Sequence, residues 1–250
     1  MSGLGSRFLR AGYEIPKPLI EVDGRSMISW VLRMFPGQED PLFICREEHI
    51  AETNMQSMLS SLKPNGRIAV IQGAKLGPVA ALMAAENEID DERPILISYC
   101  DYYMHWDFAA FCEQMVAGQY AGAVPCYTGF HPHLLPQKNL YACCRIDANE
   151  ELLEIREKHS FEIDKTMANH SPGVYYFDSG RTFKKYARML LEKDDDLNGE
   201  YYVSMIYNHM VKDGLRVAVP LNVRHFCQWG TPEDLSEYLY WTCIARKRAE

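Results

Sequence analysis

No stretch of this chain stays apolar for the eighteen or more residues that a membrane-spanning helix needs, and no basic segment leading into an apolar one opens it. A membrane is therefore not an expected partner. Basic residues are in the minority, 26 Lys and Arg against 34 Asp and Glu, for a net charge of −8. That deficit argues against broad nucleic-acid binding through phosphates, although a local basic pocket for a small anion stays compatible with it. None of the eight cysteines stands in a C-x-x-C pair, and most lie inside apolar runs. A disulfide scaffold and a zinc site are disfavoured, and a reduced, cytoplasmic setting is expected. His131 and His133 stand two apart, but no Cys or further His follows at ligand spacing. Two familiar phosphate loops are also missing. There is no G-x-x-x-x-G-K-[ST], and the third glycine of a dinucleotide fingerprint would fall on Phe8. Internal repeats, low-complexity segments and linkers are lacking as well.

What is present is 47% apolar content over 250 residues, enough for a full core. Strand-like and helix-like stretches alternate, which predicts an α/β fold with a mostly parallel (mixed) sheet and helices on both faces. We read residues 1–250 as a single domain, with halves of about 1–130 and 131–250.

The first twenty residues carry the densest signal. Gly3 and Gly5 lie two apart, Ser6 and Arg7 follow, then Gly12, then Pro16-Lys17-Pro18. Small residues let backbone N–H groups close on an oxyanion. Arg7 offers a fork for phosphate oxygens and Lys17 a point charge. This spacing reads as a polyphosphate cradle. The alternative is a surface loop that happens to be charged.

Further along, helices are predicted over 26–34, over 47–62 and from Pro78 through Asn87, where Pro suits a first helical position. Gln72-Gly73 ends a strand, and 74–77 make a turn. The run Pro94 to Cys100 is apolar without alternation, as in a strand buried on both faces, and it ends at Asp101. An acid at the carboxyl end of such a strand is placed to hold Mg²⁺ through oxygen, with a cap or loop acid as the alternative. His105 to Ala117 is predicted helical, with Asp107 near its start either favouring the helix dipole or facing the metal. Arg181 to Lys193 and Asn198 to about Val211 read as helices. Thr231-Pro232-Glu233-Asp234 reads as the start of the last one.

Gly3-x-Gly5-Ser6-Arg7-Phe8, Gly12-Tyr13 and Pro16-Lys17-Pro18-Leu19-Ile20 together resemble the signature of the sugar-phosphate nucleotidylyltransferases, and the likeness extends more weakly over most of the chain. Those enzymes join an NTP to a phosphorylated sugar or alcohol and release pyrophosphate. The resemblance implies a three-layer, Rossmann-like nucleotidyltransferase fold. It also implies a short apolar strand ahead of the loop, whereas this chain starts at Met1, inside the signature. It gives Arg7 and Lys17 the triphosphate, with Gly3, Gly5 and Ser6 around it. Gln72 and backbone near Gly77 would read the base, although a polar strand end before a core helix explains them equally well. Asp101 would hold Mg²⁺. Glu157 and Lys158 would contact the acceptor, on a strand pattern that continues at Gly173-Val174-Tyr175. Many members carry a second metal acid where this chain has Gln228, so Gln228, Asp107 or Glu200 is left to complement Asp101.

The expected activity is thus nucleotidyl transfer to a sugar 1-phosphate or similar acceptor, supplying precursors for surface polysaccharide or glycan synthesis. Three other readings stay open: a cytidylyltransferase for a non-sugar phosphate, a glycosyltransferase of related fold, and a catalytically silent nucleotide-binding relative. The glycosyltransferase would usually show Asp-x-Asp, and position 103 is Tyr103. The base, the acceptor and the oligomeric state are not legible.

Overall fold

A computed structural model describes residues 1, 3, 5–72, 76–136 and 139–249. The strands form a mixed sheet system. Its largest ladder has four strands, in the order Val217–Ala218, Gly122–Ala123, Val174–Phe177, Ile95–Ser98. The first pair is parallel, and Val174–Phe177 runs antiparallel to both its neighbours. Leu42–Arg46 lies parallel to Arg67–Ile71. Cys143–Ile146 sits between Leu152–Arg156 and Asn169–His170, antiparallel to both. No helix among the described residues is long and apolar enough to cross a membrane.

Local chemistry sets several boundaries. Glu21–Val22 turns back onto Arg25–Ser26 through Asp23 and Gly24, at φ 51° and 77°. Two consecutive positive φ values make the mirror-image turn that matches strand twist. Ser26 then caps Met27–Arg33 by accepting from Ser29 N–H. The expected helix over 47–62 is two helices, Glu47–Glu52 and Met55–Leu62. Thr53 breaks it: its backbone is extended and its hydroxyl donates to His49 O at 2.6 Å. Gly73 and residues 74 and 75 of the expected turn lie outside the described residues.

Two expectations around Asp101 need correction. Ile95–Ser98 is half-buried along its whole length rather than enclosed on both faces. After Asp101 the chain does not pass to a helix at 105. Tyr102–His105 forms a strand, antiparallel to His225–Gln228, and the helix begins at Phe108. Asp107 is that helix's cap, accepting from Ala110 N–H at 3.0 Å, so it is committed to the backbone.

Among the described residues no strand precedes Glu21–Val22. The Met1 ammonium instead donates to Ile44 O at 2.7 Å. Burial pushes the Cys45 thiol up to about 11 and raises that of Cys100, and the Met1 charge works against both rises.

The largest core cluster packs Gly180–Glu192 and Val203–Lys212 on the four-stranded ladder through Phe183, Leu190, Tyr175, Phe177 and Tyr207. Tyr207 stacks on Phe177 at 4.8 Å, and its hydroxyl donates to Tyr176 O at 2.8 Å. A buried phenol thus keeps a partner. A second cluster gathers Leu19, Ile28, Phe43, Met55, Tyr102 and Phe226. The functional residues lie between these two.

Candidate active site

The cradle is built on Gly5. At φ 64° it caps the short helix Ser6–Arg10 in a conformation open to glycine, and its carbonyl accepts from Phe8 and Leu9 N–H. Phe8, 2% exposed, pins this turn into a core with Val22, Met27 and Trp229. Ser6 and Arg7 are left on the exposed side. Pro16 and Pro18 bracket Lys17 at the head of a single 3₁₀ turn. The Lys17 ammonium stands over the Phe8 ring, 2.6 Å from Asp101 Oδ2 and 2.7 Å from Gly230 O. Asp101 is held next to it because Trp229 N–H donates to the Asp101 carbonyl.

Beside this ion pair opens a cavity of about 160 Å³. Arg7, Asp101, Glu157, Gly173, Gln228 and Gly230 all line it. Residues from both ends and the middle of the chain therefore meet at one place. Glu157 ends the strand Leu152–Arg156 and accepts from Ser204 Oγ at 2.5 Å. Lys158 takes a left-handed turn, φ 53°, and sends its ammonium to Tyr202 Oη at 3.0 Å. Gly173, φ 102°, lies against the Tyr99 ring, where a Cβ would come within 2.8 Å of the ring edge.

Gln72 and Gly77 are not in this wall. Gln72 is exposed and donates to Glu47 Oε2 at 2.7 Å. Gly77 packs on the backbone of Tyr201, which bridges Leu76 O and Val79 N–H. The aromatic wall itself was missed by sequence reasoning: Tyr99, Tyr141, Tyr175 and Tyr202 all line the cavity. The pairs Tyr175-Tyr176 and Tyr201-Tyr202 were the available signal. Tyr202 escaped it because the helix starts at Val203, leaving Tyr202 as its cap.

A match to the family model described as "MobA-like NTP transferase domain" covers residues 1–164. This chain belongs to the MobA-like NTP transferases. It is 24% identical over 222 residues to the bifunctional protein GlmU of Alkaliphilus metalliredigens, a match covering 87% of this chain and 45% of that one. The chain thus spans about half the length of this curated relative. The nucleoside-diphosphate-sugar pyrophosphorylase of Vibrio cholerae RC9 superposes with a TM-score of 0.77 at 19% identity, covering 96% of this chain and 98% of its own. The inositol-1-phosphate CTP transferase of T. maritima does so at 0.69 and 16%, covering 96% and 92%. Both share the fold.

In this transferase no group of three or more His, Cys, Asp and Glu converges among the described residues. What the cavity offers a divalent ion is two carboxylates, Asp101 and Glu157, and one amide, Gln228. That set fits Mg²⁺, which commonly takes one or two carboxylates and completes its octahedron with phosphate oxygens and water.

Desolvation pushes the Glu157 carboxyl up to about 7, against the hydrogen bond of Ser204 and the charge of Lys158. It also raises Asp234, against its bond to Thr231 and the charge of Arg7. Burial moves histidines the other way: His133 falls to about 3, and His131 and His170 are lowered. The two effects oppose each other in stability. A histidine lowered by folding contributes stability that is lost as pH falls below about 6.5, because the unfolded chain then binds more protons. Glu157, raised by folding, contributes stability below about 4.5 that is lost as pH rises through about 7. His49 and His225 are lowered as well, and five histidines outweigh the two raised carboxyls. We expect acidification from pH 7.5 to 5 to destabilise the transferase by roughly 1–3 kcal/mol. In Glu157→Gln the drop should be larger, because one opposing carboxyl is gone. Thermal melts at both pH values check this, and a smaller drop in the variant would refute the assignment.

Proposed function

We propose that this transferase joins an NTP to a sugar 1-phosphate, or a similar phosphorylated acceptor, and releases pyrophosphate. The product would be an activated precursor for glycan or surface-polysaccharide synthesis. The names of the V. cholerae and T. maritima proteins, a nucleoside-diphosphate-sugar pyrophosphorylase and an inositol-1-phosphate CTP transferase, support an acceptor of this general kind. The observation that carries the reading is the meeting of Lys17 with Asp101 at 2.6 Å beside a cavity that also holds Glu157. A triphosphate cradle and an acceptor pocket would then share one mouth.

In the proposed reaction an acceptor phosphate oxygen attacks the α-phosphorus. The new P–O bond forms as the bond to the β-phosphate oxygen breaks, and pyrophosphate carries away the electron pair. The protein's task is alignment and charge neutralisation. Gly3, Gly5 and Ser6 would present backbone to the triphosphate. Arg7 and Lys17 would stabilise the β- and γ-phosphates as charge builds on the leaving group. Lys158 and Glu157 would orient the acceptor over Gly173. Gln72 and the backbone at Gly77 would read the base, which requires Gln72 to leave Glu47. The first half of the chain would bind the nucleotide and the second the acceptor. Mg²⁺, held by Asp101 with Gln228 beside it, would supply Lewis-acid stabilisation of the phosphate oxygens.

Incubation with each NTP, Mg²⁺ and a panel of sugar 1-phosphates, followed for pyrophosphate, tests this. Release that needs both substrates is the expected result. No release with any pair would overturn the proposal.

A further inference from the structure

Six aromatic residues, Tyr99, Tyr102, Tyr141, Tyr175, Tyr202 and Phe226, line the cavity beside the aliphatic Leu140, Ala142 and Pro172. Two carboxylates join them, Asp101 and Glu157. Asp101 already has its cation in Lys17. Glu157 does not. Among the described residues its hydrogen-bond partner is Ser204, a neutral hydroxyl. The neighbouring Lys158 ammonium lies on the Tyr202 hydroxyl and 5.1 Å over its ring. Glu157 lines the same cavity as Tyr99, Tyr175 and Tyr202, so the carboxyl stands beside the aromatic wall.

Aromatic faces around a desolvated carboxylate attract a cation, through the ring quadrupoles and the charge together. A neutral hydroxyl can donate to Glu157 but leaves its charge in place, whereas a protonated or quaternary nitrogen neutralises it. Arg7, which lines the cavity, supplies positive charge for a phosphate there, and the Lys158 ammonium lies close by on the Tyr202 hydroxyl. One pocket therefore presents acid and base to the two ends of a zwitterion. Its size, about 160 Å³, suits a small molecule.

We propose that the acceptor of this transferase is a phosphate ester whose organic portion carries a cationic nitrogen, held by Glu157 within the tyrosine wall. The inference rests on the nucleotidyl-transfer reading above. Two sources share this chemistry, an amino-sugar 1-phosphate and a phosphorylated amino alcohol.

Calorimetry without NTP reads the inference apart from turnover. The titrants are glucosamine 1-phosphate against glucose 1-phosphate, and phosphocholine and phosphoethanolamine against glycerol 3-phosphate. We expect the nitrogen-bearing member of one set to bind about tenfold or more tightly than its neutral partner. Glu157→Gln should erase that preference. The set that shows the preference identifies the source. Equal or tighter binding of the neutral members, or a Glu157→Gln variant that keeps the preference, overturns the inference. Pyrophosphate release with the same compounds is measured separately. Release with neutral acceptors alone would overturn the inference and spare the reaction, whereas amine-selective binding without release under any NTP would overturn the reaction and spare the pocket.

Discussion

Lys17→Ala is expected to lower kcat/KM for pyrophosphate release by about 10²–10³-fold, or ~2.7–4 kcal/mol, the usual cost of removing one charge-stabilising donor from a preorganised site. The Lys17 side chain is 14% exposed and the Asp101 side chain 27%. Its charge therefore acts with less solvent screening than a surface lysine's would. The variant also leaves Asp101 without its cation and Gly230 O without its donor. A stability loss has to be separated from a catalytic one. Lys17→Arg keeps the charge but not the compact geometry that serves two acceptors. It should melt close to wild type and still be slow. Turnover in Lys17→Ala within twofold of wild type would remove Lys17 from the reaction.

Gly77→Ala is expected to be among the most damaging single-methyl changes at the described residues. Gly77 has φ 89°, which an L side chain rarely adopts, and a Cβ there would stand 2.6 Å from Tyr201 N and 2.7 Å from Tyr201 O. Both are backbone atoms already engaged, Tyr201 N–H with Leu76 O and Tyr201 O with Val79 N–H. Neither can rotate away as a side chain could. Backbone strain of about 1 kcal/mol and overpacking of about 1–3 kcal/mol add to ~2–4 kcal/mol. At this chain length that is a melting shift of about 4–16 °C. A shift under 2 °C would mean that the segment relaxes freely. By contrast, nothing lies within 4 Å of a Cβ added at Gly12, although its φ is also positive. Gly12→Ala should cost only the conformational part, about 1 kcal/mol.

Gly77 also illustrates what the sequence could and could not convey. That a glycine before Pro78 marks a tight place was legible, because it is local. That the tightness comes from Tyr201 was not, because the contact joins segments far apart in the chain. The same division runs through the site. The tight turn at Gly5 was readable from spacing alone, and the place of Asp101 from the end of an apolar run. The family likeness supplied Glu157 and Lys158. Tyr102–His105 was not readable as a strand, because its partner His225–Gln228 comes much later and aromatic residues suit helix and strand alike. The aromatic wall went unseen for that reason. It is assembled from single tyrosines on separate elements, each of which looks like ordinary core in its own stretch. The helix break at Thr53 was missed because apolar period continues through it, and a hydroxyl bonding back to a carbonyl leaves no trace in periodicity.

The Lys17 ammonium joins residues 84 and 213 positions away in the chain through two bonds to one atom. It works as a removable cross-link between the opening turn, the strand end at Asp101 and the approach to the helix Pro232–Ala249. Any anion that draws the ammonium toward itself unties the other two segments at the same moment. Anion capture at the opening loop and slack at the chain's closing helix are thereby coupled, and the free energy that holds the clasp shut is subtracted from the affinity for whatever opens it.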